Sequence, residues 1–167
     1  MKNTFLKSIV GTALAILMLV GGTQIFVSGQ NSEKQQRTVE GVWRTVVTPR
    51  NCLTGLPAAP AFRSVFMFNK GGTMDAYGVG PGQTPALVSP EYGLWQREQG
   101  WQDYSFKFLV YRYNTSGVYV GWNRISATLE LGESGDEFTT NSAIQVLDAN
   151  DNIIGTSCAT AVGTRFE

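Results

Sequence analysis

The acids available for chemistry in the chain are Asp75, Glu91 and Asp103. A carboxyl buried among aromatic rings has its pKa raised toward the range where proton transfer is efficient. Nothing in the spacing pairs these three, and the ordinary role of each is at a surface or in a loop. The chain contains no histidine, which removes the usual general base near neutral pH and the commonest zinc ligand, so Ser-His-Asp, Cys-His and His-metal chemistry are excluded. The run Asp148-Ala149-Asn150-Asp151 is rich in oxygen, but it lacks the longer loop and distal Glu of an EF-hand and reads as a hairpin turn. No metal site and no cofactor are expected.

The aromatic residues Trp43, Phe66, Phe68, Trp95, Tyr104, Phe106, Phe108, Tyr113 and Trp122 could form the apolar wall that ligand pockets prefer, or simply fill a core. Arg44, Arg112, Asn123 and Arg124, if turned inward, would orient an anionic or carbonyl-bearing ligand. Their ordinary alternative is solvent, or for Arg44 and Arg112 pairing with Glu91 or Asp103. The expected binding set is Trp43, Phe66, Phe68, Trp95, Tyr104, Phe106, Phe108, Trp122 and Arg124.

The elements that must position these side chains are short β-rich runs separated by Gly, Pro, Asn and Asp, with no stretch of helical periodicity. Strands are expected over residues 42–48, 64–69, 73–77, 92–97, 104–113, 118–131, 137–147 and 152–165. Turn chemistry at Lys70-Gly71-Gly72, Asn114-Thr115-Ser116-Gly117 and Glu133-Ser134-Gly135-Asp136 favours antiparallel neighbours. Alternation sets Tyr104, Phe106, Phe108 and Val110 on one face, and Ile125, Ala127, Leu129 and Leu131 on one face of the next strand, as in a half-buried sheet. The expected fold is therefore all-β, a single antiparallel up-and-down barrel of about eight strands, since closure removes exposed edges. Two segments break the rhythm. Residues 49–62 hold three prolines and Cys52, a long stapled crossing; residues 78–90 have the composition of a loop at one mouth of the barrel, either a lid or an ordinary exposed connection.

Gly41-Val42-Trp43, opening the first strand, resembles the Gly-x-Trp signature of the lipocalins and the wider calycin group. The resemblance implies an eight-stranded barrel whose tryptophan plugs one end beneath an arginine from the end of the last strand, a role that falls to Arg165. The tripeptide recurs as Gly93-Leu94-Trp95, no second lipocalin motif is present, and the chain printed here stops at Glu167. The barrel is also similar in strand count to the allene oxide cyclase and dirigent barrels, without a matching motif.

Charge and the N-terminal residues bear on location. The chain has 13 basic and 13 acidic residues. Residues 1–29 hold Lys2 and Lys7 and no acid, so the remainder is slightly negative, without the basic face that nucleic acid or an anionic membrane surface requires. Lys2 and Lys7 precede the apolar run 8–20, and Val27, Ser28 and Gly29 supply short residues for cleavage, which is signal-peptide grammar. The expected division is a signal peptide at 1–29, forming a helix before the barrel, a flexible leader at 30–40 and a barrel domain at 41–167. The alternative is an uncleaved N-terminal membrane anchor. In an exported chain Cys52 and Cys158 are expected to be bonded. That bond would close most of the domain into one loop, contributing on the order of 4 to 5 kcal/mol before strain.

The expectation for function is a secreted or periplasmic barrel that reversibly binds a small apolar or aromatic molecule. The alternatives are an enzyme of the cyclase or isomerase kind, relying on cavity shape and an inward carboxyl, and an envelope protein-interaction module with a solid barrel.

Overall fold

The structure, a computed structural model, describes residues 38–166. The expected signal segment (1–29) and the leader as far as residue 37 lie outside the described residues. Eight strands follow one another: β1 (Gly41–Arg50), β2 (Phe62–Phe68), β3 (Thr73–Gly78), β4 (Glu91–Arg97), β5 (Asp103–Tyr113), β6 (Tyr119–Leu131), β7 (Glu137–Asp148) and β8 (Ile153–Arg165). Each pairs antiparallel with its neighbours, and β1 pairs with β8, so the sheet is a closed up-and-down barrel. The expected strands agree with these to within two residues at either end. The described residues contain no α-helix, only one turn of 3-10 helix at Pro85–Leu87.

Alternation decides which side chains meet inside. At one end the interior is filled. Trp43 is completely buried, donates its indole N–H to the Val39 carbonyl at 2.8 Å, and meets the Phe138 ring edge-on at 4.8 Å. Phe66 and Phe68 meet the Phe138 ring, and Phe106 meets both of them, in edge-to-face and stacked contacts, the geometries that aromatic quadrupoles favour. The Arg165 guanidinium lies 4.3 Å over the Trp43 ring. It also donates to the carbonyls of Thr38, Glu40 and Gly135. An arginine from the last strand thus covers the tryptophan, as the resemblance implies. It also draws in residues 38–40, expected as the end of a flexible leader: Val39 is fully buried.

Two inward glycines make room for this packing. Gly163 pairs with Phe138 and Gly93 with Phe108. A Cβ at Gly163 would run into the Phe138 ring, and one at Gly93 into the Phe108 side chain and the Lys107 carbonyl. Large rings opposite residues without side chains let the sheet curve and still fill its interior.

The connections β2–β3, β4–β5 and β6–β7 lie at this plugged end, and β1–β2, β3–β4, β5–β6 and β7–β8 at the opposite mouth. From the β1–β2 connection Cys52 bonds to Cys158 of β8, with Cα atoms 5.2 Å apart and a sequence separation of 106.

Candidate functional site

Toward the mouth the interior is not filled. A cavity of about 120 Å³ lies between the aromatic plug and the β3–β4 connection. Its walls come from Val47 of β1, Phe62 and Phe66 of β2, Phe108 and Val110 of β5, Ile125 of β6, Ile144 of β7, and Ala159 and Ala161 of β8. Ser64, Gly78 and Ser142 also line it, with Gly80, Gln83 and Val88 of the connection. That connection is fastened to β5. Val88 bridges to Arg112, the Ser89 amide donates to the Tyr111 carbonyl at 3.0 Å, and the Tyr111 amide donates to Ser89 Oγ at 2.9 Å.

Ser64, Gln83, Glu91, Asn123 and Ser142 break the apolar wall, and of these Glu91 and Asn123 stand together. Tyr92 pairs with Leu109, and Asn123 with Val110. Glu91, Val110 and Asn123 therefore fall in one row across β4, β5 and β6, all facing inward. Neighbouring strands are about 4.8 Å apart, so inward side chains two strands apart in a curved sheet converge on the same space. Glu91 is only 9% exposed. Burial pushes its carboxyl up to about 7, and no charge or hydrogen bond offsets the loss of water. Asn123 presents a buried Oδ1 without a hydrogen-bond partner. The other buried side-chain atoms in that condition among the described residues belong to Thr45, Tyr104, Arg112 and Thr140, none of which lines the cavity.

The expected binding residues divide among three places. Trp43, Phe68, Trp95, Tyr104 and Phe106 belong to the filled half; Trp95 donates its indole N–H to the Asn69 carbonyl there. Phe66 and Phe108 stand at the junction and touch the cavity. Trp122 and Arg124 are on the outer face. The Trp122 indole donates to Asp151 Oδ1 at 2.7 Å, and Arg124 Nε donates to Gln145 Oε1 at 2.8 Å, with its guanidinium 5.8 Å over the Trp122 ring. Register is the reason. With Asn123 and Ile125 inside, strand alternation turns residues 122 and 124 outward.

Of the other polar candidates, Arg44 is exposed on the outer face. Arg112 takes the inward position beyond Val110 but donates Nη2 to the Leu147 carbonyl at 2.8 Å. Of the acids, Asp103 is exposed, and Asp75, at an outward position, accepts a hydrogen bond from the Asn69 amide at 2.7 Å. Glu91 alone of the three faces the interior. The residues that sequence reasoning passed over include Phe62, Ser64, Gln83, Val88, Ser142, Ala159 and Ala161, whose place on the wall depends on long-range register.

The outer face has a wider, shallow groove of about 560 Å³ between Tyr92 and Leu94 on one side and Trp122 and Arg124 on the other. It is open along its length and contains no buried, unpaired polar group. The inner cavity lies within the barrel and holds a buried polar atom without a partner, Asn123 Oδ1, so it is the candidate site. No protein-family model matches the chain, and no curated protein matches it. Fold and site together define a closed eight-stranded antiparallel barrel, aromatic-plugged at one end and hollow at the other.

Proposed function

We propose that this is an exported, lipocalin-like binding barrel that reversibly holds one small molecule, its body apolar or aromatic, in the mouth cavity. The observation that carries the reading is the hollow beneath the Val88–Ser89 clasp, with a mainly apolar wall and a few polar groups, which is the general character of ligand sites. Size limits the guest. A cavity of roughly 150 Å³ holds benzene, so about 120 Å³ suits a buried portion no larger than one ring or a short chain. The disulfide supports export, because such bonds persist in oxidising compartments. The outer face mixes Arg44, Lys107, Arg124 and Glu130 with apolar side chains around an apolar interior, the reverse of a membrane-spanning barrel.

Native mass spectrometry of the protein purified from its own host tests this. A small molecule released on unfolding is expected with the wild type and not with Ala159→Phe, which places a ring in the hollow. An adduct retained by Ala159→Phe would put the ligand elsewhere on the molecule.

One observation favours a second reading, an enzyme of the isomerase or cyclase kind. A carboxyl pushed by burial to about 7 on the wall of a cavity is suited to moving a proton to and from a bound substrate. In that case Glu91→Gln would keep the ligand and lose its conversion.

A further inference from the structure

We propose that the ligand of the mouth cavity is a small organic amine, its ammonium group seated between the Glu91 carboxylate and Asn123 Oδ1 and its carbon body against Phe62, Phe108, Val110 and Ile125. The proposal rests on the cavity being the binding site and adds the polar chemistry of the guest.

Elimination among head groups leads to it. The cavity wall contains no lysine or arginine and the chain no histidine, so a carboxylate or phosphate would enter without a counter-charge and beside an acid, at a high desolvation cost. A hydrocarbon would leave Asn123 Oδ1 buried without a partner and the Glu91 carboxyl desolvated, which is costly for each. Both groups present acceptor oxygens from one row of the sheet. A group with several N–H donors and a positive charge satisfies both at once, and an ammonium has three donors and no acceptor. The rest of the wall is apolar apart from the uncharged Ser64, Gln83 and Ser142 side chains, so selection for a cation comes from the Glu91–Asn123 end of the ligand only.

The pairing also sets a pH dependence. The Glu91 carboxyl is held near 7 by burial, and an ammonium guest binds the ionised form, so affinity rises with pH up to neutrality and flattens above it. No other titratable group lies on the cavity wall. On the neighbouring elements, Asp75 of β3 and Arg124 of β6 face outward, Arg112 of β5 is turned to the Leu147 carbonyl, and residues 79–90 contain none.

Three probes with the same four-carbon body test the proposal: n-butylammonium, 1-butanol and butyrate, titrated into the 15N-labelled protein at pH 8 and pH 5. Butylammonium is expected to shift the amides of Glu91, Val110 and Asn123 and to bind at least tenfold more tightly than the others. Its affinity should be roughly 100-fold weaker at pH 5, where about one carboxyl in a hundred is ionised. Glu91→Gln, which removes a buried charge and should fold at least as well, abolishes both the preference and the pH dependence; Asn123→Ala reduces the preference. Equal binding of butanol, or an unchanged preference in Glu91→Gln, overturns the amine while leaving the cavity as a binding site. If no probe perturbs the cavity amides, both readings fail.

Discussion

At the scale of single residues, Glu91 carries a cost to the fold that changes with pH. In the unfolded chain it ionises near 4.5, and in the barrel near 7. Between those values the folded state binds more protons, so this residue's contribution to stability falls as pH rises from about 4.5 and levels off above 7. The loss amounts to roughly 3 kcal/mol. The Glu98 and Asp148 carboxyls are shifted the other way by hydrogen bonds from Gln96 and Asn152; their contributions fade only as pH falls through the acid range, below this window. Urea unfolding is therefore expected to show the wild type less stable at pH 8 than at pH 5, and Glu91→Gln nearly flat between them. A wild type equally stable at both would show that the carboxyl is not desolvated. The sequence names Glu91 among three acids without ranking them. The information needed was Trp95: if that ring points inward, positions 93 and 91 follow by alternation. The same rule separates Asn123 from Arg124, because adjacent strand residues cannot both face the interior.

At the scale of elements, almost everything was legible. Turn residues with a stated backbone role punctuate the chain, and alternation is clear in β5 and β6, so strand number and order follow from local chemistry. What stayed hidden is non-local. The β3–β4 connection reads as a loop at a mouth, but its attachment through Val88 and Ser89 to Arg112 and Tyr111 depends on pairing that composition does not encode. The division of the interior into a filled and a hollow half has the same origin. An aromatic side chain looks alike in sequence whether it faces another ring or a void. The filling depends on glycine as much as on phenylalanine, and Gly163→Ala is expected to cost about 1 to 3 kcal/mol by overpacking against Phe138. Chemical denaturation should register this as a lower midpoint with an unchanged slope. A neutral result would mean that the ring has room to withdraw.

At the scale of the whole molecule, the seam where the first and last strands meet is secured at both ends. Arg50 pairs with Cys158, two residues before Cys52 and its disulfide, while Trp43 pairs with Arg165 beneath its guanidinium. Reduction, or replacing Cys52 and Cys158 by Ser, should lower unfolding free energy by up to about 4 to 5 kcal/mol, because the bond spans most of the domain. Differential scanning fluorimetry with and without reductant measures it, and an unshifted transition would show that the crosslink restrains little in the unfolded chain. The placement of the two chain ends has a separate effect. Thr38 is held by Arg165, and the Phe166 amide donates to the Val42 carbonyl, so both enter and leave the barrel at the plugged pole. The backbone at residues 38 and 166 therefore emerges behind the stopper, on the side away from the opening.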